Sequence, residues 1–580
     1  MSEAAHAPVS HNEVLKSGNP TLAGTLATTL ADPAADHFSD DDNQFAKFHG
    51  FYQQDDRDLR KTAKKYIMMV RGRIPGGVMT SQQWLTFDEL ATRYGNATLR
   101  VTTRQSIQFH GVLKSGLRAV IKGINDSLLS TLAACGDVSR NVTASPTPAY
   151  TKARAAVYAD SVKLAHALAP RTPAYHAIWI DDVQLKLDEP EVRDFVDPLY
   201  GQTYLPRKFK ASFVIPPVND MDIYTNDLGF IAIVENDELR GYNVAVGGGM
   251  GRSHGNAQTF PRLADVIGFV RPEHIVDVAK AVLTIHRDFG DRVNRKHARL
   301  KYVVEERGTA WVVAEITRRA GPVLSGVRHY EFTTTGDLYG WNRAVDGTLF
   351  FTLFVETGRI KDAGERRQKS ALREIARTLP HAEFRLSANQ NVILANLRDD
   401  DRATVNAIFA GHGVKTEAQA SALHAVAMAC PALPTCGLAL AESERMLPGL
   451  IDRIERLGVE TGLAGEEIII RSTGCPNGCA RPYMAEIAFV GKAPGRYQLW
   501  LGGDAAGTRL NRLYRDTVKD ADIEHELRPL LLRWKQDRRP RERFGDFAAR
   551  VIWPDLPLPG AAPAPVVPAP AREPAVAAVA

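Results

Sequence analysis

Four of the five cysteines in this 580-residue chain crowd into its last third. ACPALPTCG carries Cys430 and Cys436, and TGCPNGC carries Cys475 and Cys479. Four thiolates from two loops can hold zinc or an iron–sulfur cubane. The spacing is C-x5-C followed by C-x3-C, whereas structural zinc usually takes two or four residues between paired cysteines. Prolines follow Cys430 and Cys475, and Gly437, Gly474 and Gly478 adjoin the thiols. Such stretches turn backbone N–H groups toward sulfur, which suits an electron-rich cluster. Spacing alone ranks a [4Fe–4S] cluster first and leaves zinc and inert buried thiols open. Cys135 has no close partner in sequence and reads as structural.

Basic residues recur in short, otherwise apolar segments. Arg71 stands in MMVRGRIP, Arg140 in SRNV, and Arg207, Lys208 and Lys210 in RKFK. On a strand, Lys208 and Lys210 share a face about 6–7 Å apart. LRVTTRQSIQFH reads as one alternating strand that presents Arg100, Thr102, Arg104, Gln108 and His110 together, with Val101, Thr103, Ile107 and Phe109 opposite. Such a face suits a polycarboxylate, or it is a polar sheet surface in water.

The elements around these residues suggest a soluble protein of several domains. Apolar residues make up 44% and charged residues 24%, and the net charge of +5 gives no broad nucleic-acid footprint. No apolar run approaches the roughly 20 residues that span a bilayer, and the polar start, MSEAAHAPVSHNEVLKSGNP, lacks a secretory segment. Cytoplasmic residence is therefore expected, where cysteines serve as ligands more often than as staples. Residues 1–45 read as a flexible or partner-binding arm, and the Pro/Ala-rich tail from 557 as disordered.

The body contains a repeat. Gly72–Val112 and Gly358–Leu397 each begin Gly-Arg-Ile, continue as an amphipathic helix and end in an alternating strand, LRVTTRQSIQF in one and FRLSANQNVIL in the other. Gln105 and Gln390 coincide when the two are superposed. Further strands are expected at AYHAIWIDD (174–182), KASFVIPP (210–217) and FIAIVEN (230–236), and a helix over PEHIVDVAKAVLTIHRDFG (272–290). The irregular alternation indicates an α+β fold of internally duplicated, mixed-sheet domains. VGGGMGRSHG (246–255) lacks the nucleotide-binding patterns and reads as backbone that something bulky approaches.

Several segments together resemble the sulfite and nitrite reductases that carry sirohaem coupled to a [4Fe–4S] cluster. They are the two cysteine blocks, FAKFHGFYQQDDRDLR, VTTRQSIQFHG, GDVSRNV, GQTYLPRKFK, NRKHARLKY and SANQNVI. The resemblance spans about residues 40–555 and is greatest to the haemoprotein subunits of assimilatory NADPH-dependent sulfite reductases. It implies that Cys430, Cys436, Cys475 and Cys479 hold the cluster and that Cys479 bridges it to the sirohaem iron. It also implies that Arg71, Arg140, Lys208 and Lys210 face sulfite. The cofactor rim would be met by Arg100, Thr102, Arg104, Gln108, His110, Arg207, Arg299 and Lys301, with Asn389, Gln390, Asn391 and Asn477 adding amide contacts. The position of Arg299 is a lysine in enteric-type relatives, and either cation can pair a carboxylate. The two halves would lie pseudo-symmetrically about the cofactors.

The implied domains are a first ferredoxin-like repeat with its connecting arm (46–135), a sirohaem- and substrate-binding domain (136–345), a second repeat (346–420) and an iron–sulfur and sirohaem domain (421–556). Nothing resembles a flavin or NADPH fold, so a separate flavoprotein subunit bearing FMN and FAD and using NADPH is the expected donor. A ferredoxin-dependent sulfite or nitrite reductase is the rival within the enzymes. An electron-transfer or zinc-scaffold protein is the rival outside them.

Overall fold

The computed structural model describes residues 8–60, 62–148, 151–180 and 189–555. Its frame is four five-stranded sheets in two matched pairs.

The first pair is built from the sequence repeat. One sheet runs Phe51–Asp55, Tyr66–Arg71, Ile107–Val112, Leu99–Val101 and finally Arg359–Ile360. Its mate runs Gly340–Arg343, Leu349–Leu353, Val392–Leu397, Glu383–Leu386 and finally Val78–Thr80. The last strand of each sheet comes from the other repeat. Arg359 and Ile360 pair with Arg100 and Leu99, while Met79 pairs with Phe384. Each half is thus closed by the other. The helix Ser81–Tyr94 begins in a capping box, Thr80 with Gln83, and buries Trp84, Phe87, Leu90 and Ala91 at three-to-four spacing. It packs against its counterpart Gln368–Thr378, and Trp84 stacks on Phe384 from the opposite repeat at 4.6 Å.

The two long alternating strands expected from the sequence are instead hairpins. LRVTTRQSIQF breaks after Val101 and resumes at Ile107, and FRLSANQNVIL breaks after Leu386 and resumes at Val392. At both turns the glutamine is left-handed, with φ +48° at Gln105 and +74° at Gln390. Buried amide bonds offset that strain. Gln105 Nε2 donates to the carbonyls of Ala144 (2.7 Å) and Leu386 (2.8 Å), and Gln390 Nε2 donates to that of Ala429 (2.9 Å). Arg100 and Gln108 still share a face, because they are directly paired across the hairpin.

The second pair of sheets is a further duplication, of which the sequence reading found two strands, KASFVIPP and FIAIVEN, but not the repeat. In one, Thr143–Ala144, Ala211–Val214 and Leu228–Glu235 are parallel, and Glu238–Val246 and Asp265–Val270 continue antiparallel. In the other, Met428–Ala429, Ile470–Thr473 and Ile487–Ala493 are parallel, and Arg496–Leu501 and Arg512–Lys519 continue antiparallel. Order and sense are the same. Asp222 (φ +42°) and Arg481 (φ +53°) begin equivalent short turns in the two sheets and form an ion pair with each other at 2.9 Å.

Two further expectations are corrected. AYHAIWIDD is not a strand: Pro173–Trp179 is a helix with proline in its first turn. Residues 181–188 lie outside the described residues. The N-terminal arm is not free from Ser10 onward, since His11–Gly18, Leu26–Ala31 and Asp40–Phe48 are helices laid on the body. Its composition is polar, but Leu22, Leu26 and Phe38 are fully buried. Lys16 is buried beside Glu13 and donates to the Leu205 carbonyl at 2.7 Å, and Glu13 pairs with Arg292. Residues 1–7 and the tail from 556 lie outside the described residues. FIAIVEN and the 272–290 helix occur at Leu228–Glu235 and Ile275–Phe289, while KASFVIPP is a strand only over Ala211–Val214, so Lys208 and Lys210 lie just before it rather than on one strand face. No helix among the described residues is long and apolar enough to cross a membrane.

Candidate active site

The thiols stand at the ends of neighbouring parallel strands. Met428–Ala429 runs into Cys430, and Ile470–Thr473 runs through Gly474 into Cys475. Gly474 N–H donates to Cys430 Sγ (3.3 Å) and Asn477 Nδ2 to Cys475 Sγ (3.4 Å). Gly474 has no room for a side chain, because a Cβ would meet Ala432 Cβ and the Ala441 carbonyl at 2.5 Å. Burial pushes the Cys475 thiol up to about 12, with Cys479 adding to the rise. Cys430 and Cys436 are raised by the same two causes in the same order.

Four mutually repelling thiols fit a bound cation that takes them as thiolates. No three of their sulfurs lie within 4.8 Å of one another, whereas a tetrahedral zinc–thiolate site has sulfur edges of about 3.8 Å. Cys479 alone is exposed.

The cations expected from the sequence to face the substrate lie near one another, and Arg71 and Lys208 feel the charge of Cys479. Arg71 Nη1 donates to the Ala134 carbonyl and to Cys135 Sγ, both at 3.3 Å. Arg140 Nε donates to the Gly136 carbonyl (2.8 Å), so both guanidiniums are braced on one backbone turn. Arg71 feels the charges of Cys135, Tyr52, Cys479 and Cys436, which together outweigh its burial and raise its pKa. Lys208 is pushed down to about 7 by burial and then by Arg207 and Arg299, with Cys479 acting in the opposite sense. Burial, then Lys208, Arg104 and Arg299, hold Lys210 well below the usual lysine value. Both lysines keep partial exposure although protein surrounds them, as groups lining an internal cleft do. The structure therefore brings Arg71, Arg140, Lys208 and Lys210 together.

The expected rim residues divide into two sets. Arg104 donates to Asn226 Oδ1 (2.8 Å) and to the Ala211 carbonyl (2.8 Å), but its buried Nε has no partner. Burial pushes it down to about 9, against Asp227. Arg71 Nε is likewise a buried donor without a partner, whereas Gln108 Oε1 is a buried acceptor without one. Arg207 is pushed down to about 10 by burial, and its carboxylate, Asp137, is 3.8 Å away. Arg299 pairs with Asp227 through Nη2, at 2.9 and 2.8 Å. Orphaned donors and crowded cations with few carboxylates are what a polyanionic macrocycle would complete.

The other set is committed within the protein. Arg100 pairs with Glu444 (2.8 Å) and donates to the carbonyls of Ala429 (2.8 Å) and Thr357 (3.0 Å). His110 Nδ1 meets Arg359 Nη1 at 2.8 Å. Lys301 donates to the carbonyls of Gly249, Gly251 and Phe260, and burial pushes it down to about 6. Asn389 and Asn391 bind Asp337 at 3.0 and 2.8 Å. Thr102 Oγ1 accepts the N–H groups of Arg104 and Ser106 and shapes the hairpin turn. These residues and Gln390 hold the loops that carry the thiols and cations.

The glycine run lies between the cleft cations and the cysteine loop, with Gly249 against Arg299 and Lys301. Gly248 lies against the Tyr224 carbonyl, and Met250 lies against Gly478 of the cysteine loop.

Asp227, Glu444 and Tyr52 were missed. Asp227 accepts from Lys210 N (2.9 Å) as well as from Arg299, and is the buried carboxylate among the cleft cations. Glu444 joins Arg100 to Arg359, and burial opposes the two arginines that hold it down at about 2. Tyr52 lies beside Arg71, Arg140 and Cys135, and its hydroxyl is raised by burial and then by Cys135. Nothing in DLGF, ESER or GFYQ marks such roles, which arise only when distant segments meet.

Comparison with known proteins places this geometry. The family model for the nitrite and sulphite reductase 4Fe-4S domain matches residues 159–323. The model for the nitrite/sulfite reductase ferredoxin-like half domain matches twice, at 60–127 and 343–412. The "Sulfite reductase [NADPH] hemoprotein beta-component" of Geobacillus kaustophilus is 49% identical, covering 94% of this chain and 96% of its own. That of Myxococcus xanthus is 48% identical over the same shares. The solved structure of Mycobacterium tuberculosis NirA protein shares the fold at a TM-score of 0.73 and 21% identity, covering 95% of this chain and 98% of its own.

Proposed function

Because the chain belongs to the nitrite and sulfite reductase family, we propose that it acts as a sulfite reductase haemoprotein subunit that reduces sulfite to sulfide with six electrons. A [4Fe–4S] cluster on Cys430, Cys436, Cys475 and Cys479, coupled to sirohaem, would supply the one-electron chemistry and a metal face for the substrate's sulfur. Around that centre the chain itself binds an oxyanion and delivers protons. The braced cations, of which Arg71 and Lys208 feel the charge of the exposed Cys479, carry this reading.

Arg71 and Arg140 are fixed on the Ala134–Gly136 turn and present guanidinium forks to sulfite oxygens. Lys208, brought down to about 7, sits where a dianion draws a proton onto it and a departing oxygen takes one away. Arg104, Arg207, Arg299, Gln108 and Asn477 are assigned to the sirohaem rim. Arg100, Thr102, His110, Lys301, Asn389, Gln390 and Asn391, given rim contacts from the sequence, are assigned to positioning. A separate flavoprotein bearing FMN and FAD is proposed as the donor, with NADPH, which the relatives' names include, as its electron source, and the cytoplasm as the compartment. Five free cysteines fit that compartment.

The test is steady-state sulfide production by Lys208→Met and Lys210→Met, with sirohaem occupancy measured on the same samples. Turnover is expected to fall about 10²–10⁴-fold, while occupancy and reduction by an artificial dye persist. Wild-type turnover at full occupancy in both variants would return the lysines to a passive role.

A further inference from the structure

We propose that the chain carries a second binding site, for a small amphipathic anion, in a cavity separate from the thiol cleft. The cavity holds about 750 Å³ between the helix Lys152–Ala167, the segment Pro75–Thr80 and the strand Glu383–Leu386, within the size range of small-molecule sites. Val78, Met79, Leu129, Leu132, Val162 and Ala165 give it apolar walls. Leu128 stands 91% exposed at its rim, with left-handed backbone (φ +64°).

Its charge is unbalanced. Arg73, Arg154 and Arg385 line it against the single carboxylate Glu383, which is already bound to Arg385 at 2.7 Å. Arg73 is only 8% exposed. Its Nη2 donates to the Ala165 carbonyl (2.6 Å), and its buried Nε has no hydrogen-bond partner. Arg154 Nη1 donates to the Thr147 carbonyl at 3.2 Å. Neither Arg73 nor Arg154 is in an ion pair among the described residues. Burial pushes both below the usual arginine value; at Arg154 the carboxylate of Asp220 opposes that effect and Arg385 adds to it.

A buried guanidinium without a counter-ion is costly unless something supplies the charge. A carboxylate or phosphate can pair with that fork through two oxygens, and the walls call for a hydrocarbon or aryl body behind it. The occupant is thus a carboxylate or phosphate monoester with an apolar tail. The segment Arg73–Thr80 that walls the cavity is continuous with Arg71, so an occupant would press on the backbone that carries a cleft cation.

Calorimetric titration of the cofactor-loaded enzyme with decanoate, decyl phosphate and decanol tests the site. Binding of either anion at least tenfold tighter than decanol is expected, and the preferred anion identifies the headgroup. Arg154→Gln should weaken anion binding about ten- to a hundredfold and leave decanol unchanged. Val162→Trp, which fills the cavity without touching an arginine, should abolish binding of all three. Crystals soaked with 10-bromodecanoate should show bromine between Val162 and Met79. Equal affinity for anion and alcohol, an inert Arg154→Gln, or bromine only elsewhere would each overturn the proposal.

Discussion

Among single residues, cysteines and lysines carry the sharpest consequences. Cys479→Ser should abolish the coupled centre. Cys135→Ser should retain it, because Cys135 stands beside Arg71 and Tyr52 and outside the two cysteine loops. Iron and acid-labile sulfide assays with absorption spectra decide this, and equal loss in both variants would make Cys135 a support of the site. Lys208 also makes a prediction in pH. Its folded value of about 7 lies below the unfolded lysine value of about 10.4. At this group the unfolded chain therefore binds more protons between those limits, so Lys208 contributes a rise in stability with pH across that window in the cofactor-free protein. The buried thiols act in the opposite sense and are common to both proteins, so from pH 7 to 9.5 the urea midpoint should gain less with pH in Lys208→Met than in wild type. An identical slope in both would remove Lys208 as a source. The thiols, RKFK and SRNV were legible in the sequence because their residue types carry the chemistry wherever they stand. Asp227 and Glu444 were not, because a lone carboxylate acquires meaning only from the arginines that fold onto it.

At the scale of elements, the exchanged strands depend on two glycines in left-handed backbone. A Cβ on Gly77 (φ +73°) would lie 2.7 Å from Gln105 Cβ, and one on Gly358 (φ +79°) would lie 2.5 Å from the Val101 carbonyl. Gly77→Ala and Gly358→Ala should each cost at least the roughly 1–2 kcal/mol of a left-handed non-glycine residue, seen as a lower melting temperature. Gly449→Ala, with open space around it in the helix Leu447–Thr461, should match or exceed wild type. Wild-type melting in both turn variants would mean that the exchange tolerates slack. The sequence showed that LRVTTRQSIQF and FRLSANQNVIL correspond, but not that each folds back on itself. Alternation of period two survives a hairpin with an even offset, so a single strand and two paired ones print the same pattern. The second duplication was invisible for another reason. GCPNGCAR occupies in one sheet the place of IPPVNDMD in the other, and only the chain path relates them.

For the whole molecule, the N-terminal helices act as part of the body. Carbonyls of these helices and of the turn between them serve buried donors elsewhere: Leu22 accepts from His49 (2.8 Å), Pro20 from Tyr204 (3.1 Å) and Thr29 from Lys114 (2.8 Å). Removing residues 1–36 should orphan these donors, lower the melting temperature and promote aggregation, as light scattering during a thermal ramp would report. An unchanged melting temperature with loss only of donor-driven activity would restore the arm to a simple tether. Polar composition misled here, because a few well-placed apolar residues and main-chain acceptors are enough to dock a segment.

The exchange of strands also sets a timetable for synthesis. Leu99–Val101 leaves the ribosome long before its edge partner Arg359–Ile360 has been translated. At ordinary elongation rates that interval is roughly 15–50 s. Throughout it the nascent first half presents an open sheet edge, and it can close only when the second half arrives.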